Sequence, residues 1–289
     1  MGAGSWSESS YRDYSVSAGK TYCAKTRKVS GQVFEQRKLD ASLDPKKFLI
    51  RECVDSDEHP NTVPIILALD VTGSMGASCK ECAESLNVIM TNLYEKYKDI
   101  EFCVMGIGDL AYDDAPIQMS QFESDIRIAE ALDKIYMEHG GGGNDYESYT
   151  AAWYMGLKRT ALDAFDKRCR KGIIITMGDE PLNPYLPKEE LNYMANANEQ
   201  AHVETDRLYE EASKKFDIYH IAVDDQSNCY RGYKDKIQNT FGKVLGNRLK
   251  VSTVNMLSKA IEECIDETLN GNDAVSQPNA VNEGEGIHW

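Results

Sequence analysis

Three short segments of this 289-residue chain concentrate side chains with oxygen donors. The first segment is residues 70–75 (DVTGSM), the second is 140–147 (GGGGNDYE) and the third is 177–180 (MGDE). None of them contains histidine or cysteine, which a zinc site would favour. Oxygen donors suit a hard cation such as Mg²⁺, which takes about six oxygen ligands and commonly keeps some water. The three segments therefore predict a Mg²⁺ site, with Mn²⁺ or Ca²⁺ as alternatives.

Alternate positions of the first segment carry a carboxylate and two hydroxyl groups, which a tight loop can aim at one point. Carboxylates from the other two segments would balance the charge of the ion, directly or through water. The predicted metal ligands are Asp70, Thr72, Ser74, Asn144 or Asp145, and Asp179.

Each of these residues also has an ordinary structural interpretation when it is taken alone. Ser74 fits the N-cap of a helix, and Asn144 with Glu147 three residues later fits a capping box. Single aspartates at the ends of strands are common. Only the occurrence of all three segments together favours a metal site over these separate explanations.

The elements that must position the segments follow from the hydrophobic pattern. Residues 63–70 (VPIILALD) and 172–177 (GIIITM) are continuous apolar runs, typical of strands buried on both faces. Further strands are predicted at 101–109, 217–223 and 248–252, a hairpin partner at 116–122, and helices at 80–97, 126–137, 149–165, 188–194, 204–216, 233–245 and 256–269. Alternation of strands and helices predicts an α/β fold. We expect a Rossmann-like, doubly wound, mainly parallel central sheet with one antiparallel edge strand and helices on both faces.

The chain divides into three zones by composition. Residues 1–62 are polar and form a predicted N-terminal extension or arm, with short alternating pieces at 29–34 and 47–53. Residues 63–271 contain the predicted α/β domain. Residues 272–289, rich in Asn, Gly and Glu, are predicted to be a flexible tail. In the α/β domain, the segments at 70–75 and 177–180 follow strands, at the edge of the sheet where ligands gather.

Composition and charge exclude several classes of protein. The net charge of −15 argues against a nucleic-acid binder, which would carry a basic face. We expect neither a secretory signal nor a membrane span, because no apolar run has the required length. The eight cysteines stand at irregular spacings, which indicates free thiols in a reducing compartment. The expected location is the cytoplasm.

With these segments in this order, the chain resembles the von Willebrand factor A family over about residues 63–271. The family's metal-ion-dependent adhesion site reads Asp-x-Ser-x-Ser, then Thr or Asp after a glycine-rich loop, then Asp after the next buried strand. Thr72 departs from the family's serine but keeps the hydroxyl. In the second segment, the spacing to Glu147 aligns Asn144 with a family pattern Gly-Gly-Asp-x-x-Glu, whereas chemistry favours Asp145. The style of these motifs is similar to that of the intracellular bacterial or phage branch of the family.

The resemblance implies a non-enzymatic protein-binding module. In the family, a carboxylate from the partner fills the open Mg²⁺ position. Residues 110–118 and 180–204 would flank the site and supply specificity. Intracellular relatives often work beside ATPases or kinases, so a partner of that kind is expected by analogy. Neither nucleic acid nor a membrane is expected as a partner.

An enzymatic alternative uses the same residues. The first segment is also similar to the phosphorylated Asp-Lys-Thr-Gly-Thr loop of haloacid-dehalogenase-type phosphotransferases, in which Asp70 would be the nucleophile. Asp179 and Asn183 would then imitate the later acidic motif of those enzymes. The glycine-rich second segment has no place in that scheme, so we favour the metal ligand over the nucleophile.

Other chemistry-bearing patterns are weaker. Residues 72–76 (TGSMG) fall one position short of a Gly-x-Ser-x-Gly nucleophile elbow, and residues 19–21 lack the first glycine of a P-loop. Cys79 and Cys82 form a Cys-x-x-Cys pair without the second pair that zinc would need, so we expect a structural role for both. His59 and His220 are expected to be loop or packing residues.

Overall fold

The computed structural model describes residues 4–138 and 143–275. Its strands are β1 Thr21–Cys23, β2 Lys28–Ser30, β3 Arg51–Cys53, β4 Val63–Asp70, β5 Ile100–Ile107, β6 Ile117–Met119, β7 Thr160–Leu162, β8 Gly172–Gly178, β9 Tyr185–Leu186, β10 Val203–Glu204, β11 Phe216–Asp224 and β12 Leu249–Thr253. Its α-helices are α1 Glu8–Ser17, α2 Gly76–Lys96, α3 Arg127–Asp133, α4 Thr150–Lys158, α5 Asp163–Arg168, α6 Lys188–Ala195, α7 Thr205–Lys215, α8 Tyr230–Leu245 and α9 Leu257–Val275. None of the described helices is both long and apolar enough to span a bilayer.

A central sheet of six strands runs in the order β12-β11-β8-β4-β5-β6. Its neighbouring strands are parallel except for β6, which pairs antiparallel with β5. The predicted mixed α/β class, the mainly parallel sheet and the antiparallel edge strand are therefore confirmed. The edge strand is shorter than the predicted 116–122, because only residues 117–119 keep the ladder to β5.

Burial on both faces explains the continuous apolar runs. In β4, Ile65 and Leu67 belong to one cluster of buried residues, and Ile66 and Ala68 belong to another. Successive side chains of a strand point to opposite faces, so each face needs its own cover. Helices α2 and α9 contribute to the first cluster, and α4, α7 and α8 to the second.

The prediction of one continuous helix over 149–165 is wrong, because a short strand interrupts it. Helix α4 ends at Lys158, and the chain then forms β7, which pairs parallel with β3 before α5 begins. Thr160 donates its hydroxyl to the backbone oxygen of Gly156 at 2.6 Å, a local bond that competes with helix continuation. The β3 partner lies far away in sequence, so a local pattern could not reveal the strand. The helix predicted over 126–137 is also shorter, spanning Arg127–Asp133.

The N-terminal segment packs against the sheet and its helices. Trp6 donates its indole N–H to Oδ1 of Asn87 on α2 at 3.1 Å, and the backbone N–H of Met119 in β6 donates to the carbonyl oxygen of Leu43 at 2.9 Å. At the other end, α9 reaches Val275, and residues 276–289 of the predicted tail lie outside the described residues. All eight cysteines are unpaired thiols, as expected from their spacing.

Candidate metal centre

The candidate site lies where two neighbouring strands of the sheet end. Asp70 is the last residue of β4, and Asp179 directly follows β8. The two strands pair in parallel, so their carboxyl ends meet at one edge of the sheet, where ligands of open α/β sheets bind. The topology thereby brings the first and third segments together.

The first segment folds back on the carboxylate of Asp70. Oδ1 of Asp70 accepts hydrogen bonds from the backbone N–H of Thr72 at 3.0 Å and from its hydroxyl at 2.6 Å. Residues Gly73–Met75 then form a 3₁₀ turn that leads directly into α2. Asp70 has no exposed surface, so this carboxylate is held inside the protein and not presented to solvent.

The third segment supplies a second buried carboxylate. Oδ1 of Asp179 accepts a hydrogen bond from the hydroxyl of Ser74 at 3.1 Å, and Oδ2 accepts one from the backbone N–H of Cys229 at 2.7 Å. Ser74 thus links the first segment to the third. The structure brings four predicted ligands together as two hydroxyl–carboxylate pairs, Thr72 with Asp70 and Ser74 with Asp179.

Negative charge accumulates at this edge, and within the described residues no cationic side chain hydrogen-bonds to Asp70 or Asp179. The pKa of Asp70 is raised to about 7, mainly by burial and to a smaller extent by the negative charge of Asp179. Burial also raises the pKa of Asp179. In the described part of the chain, the hydrogen-bond donors to both carboxylates are uncharged groups: Thr72, Tyr149, Ser74 and the Cys229 backbone. A dication placed here would favour the charged forms of both acids.

Glu147 belongs to this acidic group and was not among the predicted ligands. Its side chain is 3% exposed, and Oε2 has no hydrogen-bond partner among the described residues. The pKa of Glu147 is raised to about 11, mainly by burial and to a smaller extent by the negative charges of Asp70 and Glu180. Glu147 forms an isolated parallel bridge with Leu182, which sets the second segment beside the residues that directly follow the third. The sequence signal was its position three residues after Asn144, which had suggested a helix cap.

Asn144 and Asp145 form hydrogen bonds with residues outside the two hydroxyl–carboxylate pairs. Asn144 donates its side-chain N–H to Oδ2 of Asp109 at 2.6 Å. Asp145 is exposed; its carboxylate accepts hydrogen bonds from the Tyr233 hydroxyl at 2.9 Å and from Nζ of Lys236 at 2.6 Å, and the Lys236 bond lowers its pKa. Neither side chain hydrogen-bonds to the two hydroxyl–carboxylate pairs. Residues 140–142 of the predicted glycine loop lie outside the described residues.

The ordinary helix-capping interpretations of these residues are wrong. Helix α2 begins at Gly76 with Met75 as its N-cap, and no side chain caps it. Helix α4 begins at Thr150, three residues after Glu147, so residues 144–147 do not form a capping box. The polar groups of Ser74 and Glu147 are therefore not needed to complete a helix end.

The donor set fits Mg²⁺ by its chemistry. Within residues 4–138 and 143–275, no group of three or more His, Cys, Asp or Glu side chains is arranged to hold a metal ion. The set instead combines the carboxylates of Asp70 and Asp179 with the hydroxyls of Thr72 and Ser74. Each hydroxyl donates its proton to a carboxylate and keeps its oxygen lone pairs, so it can still serve as a ligand. Hard oxygen donors with water completing the shell are what Mg²⁺ prefers.

The cysteine pair and the two core histidines have packing roles. Cys79 and Cys82 are buried in α2, burial raises the pKa of both thiols, and Cys79 donates to the backbone oxygen of Asp70 at 3.0 Å. His59 is within 2.7 Å of the carbonyl oxygen of Gly4 through Nε2, and His220 is within 2.9 Å of the Thr176 hydroxyl through Nδ1. These contacts account for four residues that the sequence had singled out.

Comparisons with known proteins find similarity only among solved structures. No family model matches the sequence, and no curated protein matches it. One similar structure is the pilus adhesin SpaC from Lactobacillus rhamnosus GG in its open conformation, at 10% identity and a TM-score of 0.47, covering 74% of this chain and 31% of that chain. Another is a mutant of the PilB minor pilin from Streptococcus sanguinis, at 11% identity and a TM-score of 0.47, covering 75% of this chain and 64% of that chain.

Proposed function

We propose that this chain is a von Willebrand factor A-like domain with a Rossmann-like, doubly wound sheet that holds one Mg²⁺, or Mn²⁺ or Ca²⁺, where β4 and β8 end. The observation that carries the proposal is the pair of buried carboxylates, Asp70 and Asp179, each bonded to a hydroxyl of the first segment. Burying two neighbouring acids with only neutral donors is unfavourable unless a cation joins them. The burial of these two carboxylates therefore supports the binding of a cation between them.

Each residue has a distinct role in this proposal. Thr72 and Ser74 offer their hydroxyl oxygens to the ion, while Asp70 and Asp179 hold the hydroxyls and supply negative charge. Glu147 adds negative charge beside the site, and its Oε2 has no hydrogen-bond partner among the described residues. When bound, the ion would act as a Lewis acid that accepts one further oxygen ligand from outside the chain. Asn144 would brace the second segment through Asp109, whereas Asp145 pairs with Lys236 at the surface.

The function we propose is metal-dependent binding of a protein partner that offers an acidic side chain, without catalysis. Exposed aromatic side chains from the two flanking loops, Tyr112 and Tyr185, support a contact surface around the site. By family analogy the partner works in an assembly with an ATPase or kinase. We also propose a cytoplasmic location, because eight unpaired thiols suit a reducing compartment. Nucleic acid and membrane are not proposed as partners.

The phosphotransferase alternative has less support. A nucleophilic aspartate must present a free oxygen to phosphorus, whereas Asp70 is buried and both of its oxygens accept hydrogen bonds, from Thr72 and Tyr149. A phosphorylated Asp70 after incubation with acetyl phosphate would nevertheless favour the enzyme over the binding module.

Calorimetric titration with Mg²⁺ and Mn²⁺ tests the metal site. We expect saturable binding to the natural chain and none to Asp70→Ala. Asp217→Asn is the matched control, because Asp217 lies at the opposite end of the sheet and pairs with Arg248 at 2.7 Å. Equal binding by the natural chain and Asp70→Ala would refute the site. Pull-down with and without chelator, using the same variants, then tests whether partner capture needs the ion.

A further inference from the structure

We propose that Tyr149 is a positioning residue of the metal site, whose hydroxyl fixes the carboxylate of Asp70 and ties the first segment to the third. This inference rests on the proposed metal-binding function. Nothing in the sequence marked Tyr149, which stands at the start of a helix and 79 residues from Asp70.

The hydroxyl of Tyr149 completes the hydrogen bonds of Asp70. It donates to Oδ2 of Asp70 at 2.6 Å, while Thr72 occupies Oδ1. With donors on both oxygens, the carboxylate cannot rotate about its last bond without breaking one of them. The hydroxyl of Thr72, which depends on Oδ1 for its direction, is fixed by the same arrangement.

The same hydroxyl oxygen reaches the third segment. The Tyr149 hydroxyl oxygen accepts a hydrogen bond of 3.3 Å from the backbone N–H of Glu180, which is one residue beyond Asp179. A single side chain from α4's N-terminus therefore contacts both segments that contribute the carboxylates. The Ser74–Asp179 bond joins these segments on one side, and Tyr149 joins them at a second point.

The ring of Tyr149 is held by two aromatic neighbours. Its centroid lies 5.0 Å from that of His220 and 5.6 Å from that of Phe241. His220 and Phe241 stack on each other at 3.7 Å with an interplanar angle of 10°. The Thr176 hydroxyl near Nδ1 fixes the imidazole in turn. Tyr149 is thus supported from β8, β11 and α8, and these contacts restrict the position of its hydroxyl.

The residue opposite Tyr149 leaves room for it. Gly178 ends β8, and a Cβ atom added there would overlap the hydroxyl and ring of Tyr149. A side chain at position 178 would displace the hydroxyl from Asp70. The hydrogen bond from Tyr149 to Asp70 therefore requires that residue 178 has no side chain. The backbone conformation of Gly178 does not by itself require glycine.

Removing the hydroxyl has two opposing effects on metal affinity. The carboxylate of Asp70 would lose a donor and become a stronger partner for a cation, but it would also lose its fixed direction. Loss of partners that orient metal ligands typically weakens binding by about tenfold or more. We therefore expect orientation to dominate.

The test compares Tyr149→Phe with a matched control, Tyr219→Phe. Tyr219 is also buried and bonds through its hydroxyl to Thr268 at 2.9 Å, away from the site. Both variants should lower the melting temperature, since each loses a buried hydrogen bond. Only Tyr149→Phe should weaken Mg²⁺ binding, by about tenfold in titration calorimetry. A merely structural tyrosine would lower the melting temperature without this change in affinity.

Each outcome decides a different point. If Tyr149→Phe binds Mg²⁺ as tightly as the natural chain, the positioning role is refuted and the metal site stands. If the natural chain binds no Mg²⁺, the proposed function fails and the inference fails with it. Should Tyr149→Phe not fold, Phe241→Leu loosens the ring and keeps the hydroxyl, and we expect this variant to bind Mg²⁺ more weakly than the natural chain. Unchanged binding in that variant would count against the proposal.

Discussion

The hydroxyl of Ser74 donates a hydrogen bond of 3.1 Å to Oδ1 of Asp179, across 105 residues of sequence. This bond joins the loop after β4 to the loop after β8. It is possible because the two strands are parallel neighbours with a shared carboxyl edge. Ser74 therefore has a double role in the proposed site, as a ligand and as the link between two acidic segments.

Removal of the Ser74 hydroxyl should weaken the site. In Ser74→Ala the ion loses a ligand and Oδ1 of Asp179 loses its donor, so we expect Mg²⁺ affinity to fall by about tenfold or more in calorimetry. Ser213→Ala, which removes an exposed hydroxyl on α7, should bind Mg²⁺ like the natural chain. Undiminished binding by Ser74→Ala would remove Ser74 from the ligand set.

Neutralising Asp145 should have little effect. Asp145 is exposed and pairs with Lys236 at 2.6 Å, and exposed ion pairs contribute little to stability. We expect Asp145→Asn to keep the natural melting temperature and Mg²⁺ affinity. A loss of binding as complete as in Asp70→Ala would instead make Asp145 a ligand, and would require the second segment to change its conformation when the ion binds.

A methyl group at position 178 should damage both stability and the site. In Gly178→Ala the new Cβ overlaps Tyr149, and overpacking of this kind costs about 1–3 kcal/mol in the free energy of unfolding. Gly232→Ala is the control, because no described heavy atom beyond its chain neighbours and its own helix backbone lies within 4 Å of a Cβ added there on α8. Alanine should stabilise that helix by about 0.5–1 kcal/mol. Urea unfolding measures both effects; equal stabilities would contradict the predicted overlap.

His220 should make stability depend on pH. Burial lowers its pKa from 6.5 to about 3, so between these values the unfolded state binds the proton first. Neutral His220 makes its full contribution to the free energy of unfolding above pH 6.5. Below that pH the contribution falls by on the order of 1.4 kcal/mol per pH unit.

The measurement is urea unfolding between pH 4 and pH 8. His220→Phe keeps an aromatic ring beside Phe241 but cannot titrate, so its stability should fall less steeply with acid than that of the natural chain. Parallel curves for the natural chain and His220→Phe would show that His220 is not the titrating group.

Thiol reactivity should follow burial. Cys23 and Cys169 are exposed, and a hydrogen bond from Thr26 lowers the pKa of Cys23, so both should react rapidly with Ellman's reagent. Cys229 is half-buried with a raised pKa and should react more slowly. The other five thiols should react only after unfolding. Rapid reaction of Cys79 or Cys82 in the native chain would contradict the packing role assigned to them.

Local pattern was enough to predict most of the sheet and part of the site. The apolar runs at 63–70 and 172–177 identify strands buried on both faces, because only such strands lack a polar face. Asp70 and Asp179 stand at the ends of those runs, so the sequence alone placed them at one edge. The two-residue spacing likewise places the Thr72 hydroxyl and the Asp70 carboxylate close together, as their hydrogen bond of 2.6 Å shows.

Contacts between distant segments decided the rest. The β7 strand exists because β3 pairs with it, and no periodicity within residues 149–165 records that partner. In the sequence, spacing favoured Asn144 and chemistry favoured Asp145 as the ligand, and their actual partners Asp109 and Lys236 come from other parts of the chain. Whether a carboxylate oxygen is buried without a hydrogen-bond partner among the described residues, as in Glu147, or a hydroxyl reaches Asp70, as in Tyr149, depends on packing from several elements. A linear pattern of residue types fixes which faces are apolar, but it does not specify the distances between side chains on different elements.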